Sequence, residues 1–216
     1  MRGRIGIGLV IVAGPTEELS FTVEEQTKVV ADVQNALSWL GSNVPDSNIT
    51  WSYDIQPVAL SAPADPSIYQ FDELEEYWRD PALTSLGYSE GLQGVEDYVD
   101  NLVLNLDVDF AYCVFFTKYP VGHFAYAITD EHYLVMDYDN DGWTPASIDR
   151  VFAHETCHIF GAPDEYAGSG CDCGGSWGTS GGSNANCENC SHDLVPCIMR
   201  ENTWDLCSAT PGHLGW

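Results

Sequence analysis

The stretch Val151-Phe-Ala-His-Glu-Thr-Cys-His-Ile-Phe-Gly-Ala-Pro-Asp-Glu-Tyr166 decides how the rest of this 216-residue chain is interpreted. His154 and His158 are four positions apart, so on a helix their imidazoles lie on one face, one turn apart, where they can bind one divalent metal ion. Glu155 lies beside them and can take a proton from a water molecule on that metal, as the hydrolysis of an unactivated amide requires. The stretch therefore predicts a hydrolytic metal site with Glu155 as its general base.

Two residues beyond this helix complete the predicted site. Gly161 can adopt the positive φ that ends a helix and reverses the chain. The reversal would bring Asp164 to the same metal as a third ligand, and the fourth position would remain for water.

The full pattern HExxHxxGxxD, from His154 to Asp164, resembles that of the metzincin clan of zinc peptidases. In that clan the third ligand is usually His, and it is Asp in a minority of members such as the snapalysins. The clan also places a methionine in a tight turn beneath the metal, and Met199 in Cys197-Ile-Met-Arg200 is suitably placed for this role. The resemblance implies a zinc-dependent endopeptidase that acts on protein or peptide substrates.

The same resemblance implies an α/β (α+β) architecture, with one two-lobed catalytic domain over residues 1–216. An upper lobe, about 1–161, would hold a twisted, mixed, mostly parallel sheet and the metal helix, and a small irregular lower lobe would cover about 162–216. The strand before the metal helix would form the upper rim of the cleft, where substrate adds as a further strand. The residues that we expect to contact substrate are Gly122, His123, Phe124, Ala125 and Tyr126 on this rim and Trp204 on the opposite wall.

The order of the other elements is compatible with this architecture. Residues 3–14 are apolar and β-branched, and we interpret them as a first core strand rather than a signal peptide. A helix that starts at the capping box Thr22-Val-Glu-Glu25 and a strand over 49–60 follow, and this order favours parallel pairing. Residues 61–90 predict a surface loop with a short helix. A helix from Leu92, a central strand over 110–116 and a hairpin of two strands over 122–137 come next.

The composition excludes some functions. Seven Lys and Arg residues against 33 Asp and Glu residues give a formal charge of −26, which repels nucleic acid. No apolar run approaches the roughly 20 residues that span a bilayer. We therefore expect a monomer that does not bind nucleic acid and does not span a membrane.

Six of the eight cysteines follow residue 170: Cys171, Cys173, Cys187, Cys190, Cys197 and Cys207. They could form a structural zinc site of four thiolates, but we favour disulfides in a secreted, extracellular protein, because so Gly- and Ser-rich a segment needs crosslinks to be ordered. The sequence leaves their pairing open. Cys113 and Cys157 could pair with each other or remain buried thiols.

A calcium site and two other functions stay open. Asp137, Asp139 and Asp141 before Gly142 are spaced as in the first half of an EF-hand loop, but Ile148 stands where that loop needs Glu, so a metal-free acidic turn is a close alternative. A gluzincin-like hydrolase would use Glu188 or Glu201 as the third ligand. A calcium- and disulfide-stabilised extracellular binding module, with structural zinc, would not be an enzyme.

Overall fold

The structure, a computed structural model, describes residues 1–45, 48–140, 142–190 and 194–216. These residues form a five-stranded sheet covered by helices, followed by an irregular C-terminal segment. The strands are β1 (Gly3–Ala13), β2 (Ile49–Ala59), β3 (Phe110–Thr117), β4 (Ala125–Ile128), β5 (Tyr133–Asp137), β6 (Ser176–Trp177) and β7 (Gly182–Ser183). The α-helices are α1 (Val23–Asn43), α2 (Phe71–Leu86), α3 (Leu92–Leu106), α4 (Ile148–Ile159), α5 (Ile198–Glu201) and α6 (Thr210–His213).

The large sheet has the strand order β2-β1-β3-β5-β4. Its neighbours are parallel except β4 and β5, which form an antiparallel pair. This confirms the predicted mixed, mostly parallel sheet. The inner strands β1 and β3 are buried on both faces, which explains why they are apolar at consecutive positions. In the described part of the chain, β4 is an edge strand that pairs on one side only.

Helices cover both faces of this sheet and create two apolar cores. One core joins α1 and α4 to the sheet, and the other joins α2 and α3 to its opposite face. Gly8 in β1 allows α3 to approach, because a Cβ atom there would lie 2.6 Å from Leu102 Cδ1 and 2.7 Å from the Tyr98 hydroxyl. The sheet thus separates α4, which carries the predicted ligands, from α2 and α3.

The start of α1 follows from its sequence. Thr22 Oγ1 accepts a hydrogen bond from the Glu25 N–H at 3.2 Å, and Glu25 Oε2 accepts one from the Thr22 N–H at 2.8 Å. These bonds satisfy two backbone donors that the helix itself leaves free. The helix ends at Asn43.

Helix α2 differs from the prediction of a loop with a short helix. It runs for 16 residues and contains Pro81. Trp78, Ala82 and Leu83 are fully buried, so the helix is held by packing on the sheet despite the backbone hydrogen bond that proline removes. Residues 61–90 contain three prolines, and proline disfavours regular structure locally, so the sequence predicted a loop here. That local signal carries no information about burial against the sheet, which stabilises the helix.

The C-terminal segment has little regular structure, as expected, and two disulfides crosslink it. Cys171 pairs with Cys187, and Cys173 pairs with Cys190, which favours disulfides over a four-thiolate zinc site. Cys113 and Cys157 lie in the two separate cores and remain buried thiols, so the hypothesis that they pair is wrong.

Among the residues that the structure describes, no helix combines the length and the apolar character needed to cross a membrane. The division into lobes at about residue 161 stays a prediction.

Candidate active site

Helix α4 presents His154, Glu155 and His158 toward a cleft. A 3-10 turn with Pro145 at its first position leads into it, and Thr144 Oγ1 accepts a hydrogen bond from the Ala146 N–H at 3.4 Å. The apolar face of α4 is buried in the core, which fixes the helix along the cleft. The opposite face carries the site residues because it is the side that the core leaves free.

Gly161 ends α4 in the way that the sequence predicted. Its φ of 93° is in the left-handed region, the Gly161 N–H donates to His158 O at 2.8 Å, and the Ala162 N–H donates to Cys157 O at 3.0 Å. This pair of bonds is a Schellman motif. The chain therefore reverses within a few residues and brings Asp164 back to α4.

Three ligand atoms meet at this reversal. His154 Nε2 lies 3.0 Å from His158 Nε2, and Asp164 Oδ1 lies 3.0 Å and 3.2 Å from these two nitrogens. Four ligands at the usual 2.0–2.1 Å from a tetrahedral zinc ion lie about 3.3 Å from one another. The three atoms thus have nearly the spacing of three corners of a zinc site.

The other nitrogens of the two imidazoles bind main-chain carbonyls. His154 Nδ1 lies 2.8 Å from Ile198 O, and His158 Nδ1 lies 2.8 Å from Ala162 O. A carbonyl can only accept, so each Nδ1 is the protonated nitrogen and each Nε2 turns its lone pair toward Asp164. Three acceptor atoms so close together need a proton or a cation between them, and this donor set therefore fits a metal ion.

In the metal-free protein, a proton can lie between the imidazoles and the Asp164 carboxylate instead of a metal ion. Burial lowers the pKa of His158, but the carboxylate of Asp164 and the charge of Glu155 outweigh it and raise that pKa to about 9. Burial raises the pKa of Asp164, but the two imidazoles outweigh it and hold that pKa far below its usual range. The site thus keeps a carboxylate beside a readily protonated imidazole.

Glu155 is positioned for the predicted role of general base. Its side chain is 6% exposed and lines the cleft beside the histidines. Within the described residues, its buried Oε2 atom has no hydrogen-bond partner, so this oxygen is available to a molecule bound in the cleft.

The cleft beside these residues has a volume of about 910 Å³. Edge strand β4 forms one wall, and residues from α5 form part of the opposite wall. Four predicted substrate residues line it, namely His123, Phe124, Ala125 and Tyr126. Two others lie elsewhere: the Phe71 ring packs on Gly122, and Trp204 packs on Trp39 with ring centroids 5.0 Å apart.

The predicted methionine turn lies directly behind the histidines. Met199 is fully buried in α5, and its carbonyl accepts a hydrogen bond from the Glu165 N–H at 2.8 Å. The preceding residue, Ile198, supplies the carbonyl that orients His154. Backbone contacts of this turn therefore fix both a histidine and the residue that follows Asp164.

Sequence reasoning missed Glu165. Glu165 is fully buried, and its carboxylate accepts hydrogen bonds from Asn184 Nδ2 at 2.8 Å and Asn186 Nδ2 at 2.7 Å. It thereby ties the Gly-rich loop to the metal-site turn. The sequence feature that could have pointed to Glu165 is its position directly after the predicted ligand Asp164. Arg200 and Asn202 line the cleft near the predicted methionine, within residues 200–207, the stretch that we expected to supply this wall with Trp204 as its largest residue.

The alternative third ligands lie apart from the metal-site atoms. Glu201 lines the cleft, but its carboxylate is paired with the Arg200 guanidinium at 2.6 Å. Glu188 is exposed, and its Oε2 accepts a hydrogen bond from the Ala167 N–H. Among described residues, the metal-capable group at the cleft consists of His154, His158 and Asp164.

The predicted calcium turn is described only in part. Asp137 is buried, and its Oδ1 accepts a hydrogen bond from the Asp139 N–H at 3.1 Å, whereas the Asp139 side chain is exposed. Burial is the main reason that the pKa of Asp137 rises to about 6. Asp141 lies outside the described residues. Asp137 and Asp139 belong to none of the metal-capable groups found in the described chain.

One family of known proteins matches the part of the sequence that holds this site. Residues 97–196, which include α4 and Asp164, match the sequence model of the Streptomyces extracellular neutral proteinase (M7) family. The chain is also similar to the crystal structure of a zinc-dependent peptidase from Methanocorpusculum labreanum, with 13% identity, a TM-score of 0.49 and coverage of 96% of this chain and 99% of that one. No curated protein sequence matches. The family match spans a little under half of the chain and includes His154, His158 and Asp164, so the region that holds the candidate metal site is similar to this family of proteinases.

Proposed function

We propose that this protein is a zinc endopeptidase in which His154, His158 and Asp164 hold the metal and Glu155 is the general base. The observation that carries the proposal is the convergence of three ligand atoms, 3.0–3.2 Å apart, beside a buried carboxylate on the floor of a large cleft. Zinc, when bound, supplies a Lewis acid that polarises the peptide carbonyl and acidifies a water molecule.

The side chains of this protein then move the proton. Glu155 accepts it from the attacking water and donates it to the amine that leaves. Burial keeps this carboxylate away from competing solvent donors. Tyr166 lines the cleft and contacts Asp164, so its phenol is a candidate hydrogen-bond donor to the developing oxyanion.

Substrate would bind along β4 as an additional strand. In the described chain β4 is an edge strand, and its residues Ala125, Tyr126 and Ala127 line the cleft. Main-chain pairing would supply affinity with little dependence on side chains, and contacts with the wall at Arg200 and Asn202 would add selectivity.

The test compares the wild type with Glu155→Gln and with Glu90→Gln, a matched change on an exposed residue outside the cleft. Cleavage of a denatured protein and bound zinc are measured on the same samples. Glu155→Gln should keep zinc and lose about 10²–10⁴-fold in kcat, because only the proton transfer is removed. Glu90→Gln should match the wild type.

Other outcomes decide between the alternatives. A binding module would show no zinc-dependent cleavage and no difference between the wild type and Glu155→Gln. A gluzincin-like ligand set would leave zinc stoichiometry and cleavage intact in Asp164→Ala. Loss of zinc in that variant is expected, because two imidazoles alone leave the site one ligand short.

We further propose that the enzyme acts outside the cell, because the matching family is described as extracellular and two disulfides suit an oxidising compartment. Calcium binding at the 137–142 turn and a monomeric state stay predictions.

A further inference from the structure

A second cluster of reactive side chains lies behind the metal site, outside the cleft. Cys197 and Cys207 are 0% and 2% exposed, and Glu165 and Thr210 are buried with them. The Thr210 hydroxyl lies 3.2 Å from Cys197 Sγ and 3.3 Å from Cys207 Sγ. Neither the peptidase chemistry nor the two disulfides of the Gly-rich loop use these two thiols.

The backbone holds the two cysteines opposite each other. The Ile198 N–H donates to Asp205 O at 2.7 Å, which folds the segment between them back on itself. The Cys207 N–H then points at Cys197 Sγ, at 3.4 Å, and the two sulfurs are in hydrogen-bonding contact. Because the other four cysteines of this segment are paired, we propose that Cys197 and Cys207 form a third disulfide, which fixes the turn behind the metal site.

A thiophilic metal ion is the competing occupant, because Glu165, Cys197 and Cys207 offer three ligand atoms within 4.8 Å. The hydrogen bonds favour the disulfide. Both oxygens of Glu165 already accept amide hydrogens from Asn184 and Asn186, so the carboxylate has partners without a cation. It also keeps these partners when Cys207 loses its thiol hydrogen.

The crosslink would act on the metal site through the main chain. Ile198, directly after Cys197, supplies the carbonyl that orients His154, and Met199 O binds the N–H of Glu165, directly after Asp164. Arg200 and Asn202 of the same loop line the cleft. Cys197 and Cys207 are therefore positioning residues for a metal ligand and for one wall, and they touch neither metal nor substrate.

The oxidation can be balanced with a disulfide-exchange oxidant, such as an oxidised dithiol protein or a small-molecule disulfide. One thiolate attacks a sulfur of the oxidant and releases its partner thiolate, and the second cysteine then attacks the mixed disulfide. The two thiols lose two protons and two electrons, and the oxidant is reduced to two thiols. Since both sulfurs are buried in the folded chain, the bond should form before this segment closes.

The pairing is tested on the full wild-type chain, folded with oxidised and reduced glutathione. The denatured protein is alkylated without reduction, digested and mapped by mass spectrometry. A peptide pair linked through Cys197 and Cys207 is expected beside the two other links. Alkylation of both residues while Cys171–Cys187 and Cys173–Cys190 stay linked would overturn the proposal, and so would a second bound zinc ion that protects them from alkylation until it is chelated.

The effect on the site is tested by competition with a zinc chelator. Cys197→Ala/Cys207→Ala is expected to weaken zinc binding about tenfold or more, as the loss of a group that orients a ligand usually does. Cys173→Ala/Cys190→Ala removes a disulfide that contacts none of the three ligands and should stay near the wild type. Equal zinc affinities for the two double variants would refute the positioning role. The disulfide mapping is independent of the proposed function, whereas the chelator test rests on the zinc ligands proposed there.

Discussion

Replacing Gly161 by alanine should destabilise the protein and weaken zinc binding without changing any ligand. A Cβ atom at Gly161 would lie 3.5 Å from Thr179 Cβ and 3.7 Å from His213 O, which are ordinary contacts. The cost is therefore that of placing an L-residue at a φ of 93°, about 1–2 kcal/mol. In a chain of this size each kcal/mol lowers the Tm by about 2–4 °C, so a decrease of about 2–8 °C is expected.

Zinc binding reports the same strain in a second way. The reversal at Gly161 supplies the Ala162 carbonyl that orients His158, and it carries Asp164 back to α4. If the turn relaxes in the metal-free variant to relieve the strain, zinc binding must restore the strained conformation. The zinc affinity then falls by up to about tenfold for each 1.4 kcal/mol relieved.

The assay is thermal unfolding of the zinc-loaded and zinc-free forms, together with zinc titration against a chelator. Gly212→Ala is the matched control, because Gly212 lies in α6 and a Cβ atom there would meet nothing within 4 Å. This control should equal the wild type or gain up to about 1 kcal/mol. If Gly161→Ala unfolds at the wild-type temperature and binds zinc equally well, the backbone argument for this turn is refuted.

Three further predictions concern charge and metal. Glu75→Ala should cost about 1–3 kcal/mol in urea unfolding, because Glu75 and Arg79 are each 4% exposed and the variant leaves the buried Arg79 guanidinium with Asp80 as its remaining carboxylate partner among the described residues; stability equal to the wild type would contradict this. In the zinc-free protein, the stability due to the raised pKa of His158 should be full below its ordinary pKa of 6.5 and be lost as the pH rises through about 9, which urea unfolding at several pH values can measure. Chelation of zinc should abolish cleavage until zinc is restored, and it should remove about 4 kcal/mol of stability relative to free zinc at 1,000 times its Kd; unchanged activity in the metal-free protein would argue against a zinc peptidase.

Much of the fold follows from local patterns in the sequence. Apolar and β-branched runs predicted the strands, and the capping box at Thr22 predicted the start of α1, because these signals depend on neighbours within a few residues. The interior of α2 did not follow, since its stability depends on the burial of Trp78 against the sheet. Local propensity therefore failed to predict α2, because packing against the sheet outweighs the unfavourable effect of Pro81 on the helix.

The sequence by itself determined which residues form the candidate site within and just after one helix. His154, Glu155 and His158 share one face of any helix that contains them, and a glycine three residues later permits the reversal that Asp164 needs. These relations hold within one element and its end, so the backbone geometry of the helix is enough to predict them.

Only the tertiary structure decided which distant groups meet this site. The carbonyl of Ile198 behind His154 and the amide groups that bind the buried carboxylate of Glu165 depend on how α4, α5 and the Gly-rich loop pack together. The same packing pairs four of the cysteines and brings the remaining C-terminal two into contact. Sequence separation carries no information about these contacts, because loops of similar length can close in many ways and the buried polar groups select the one that satisfies them.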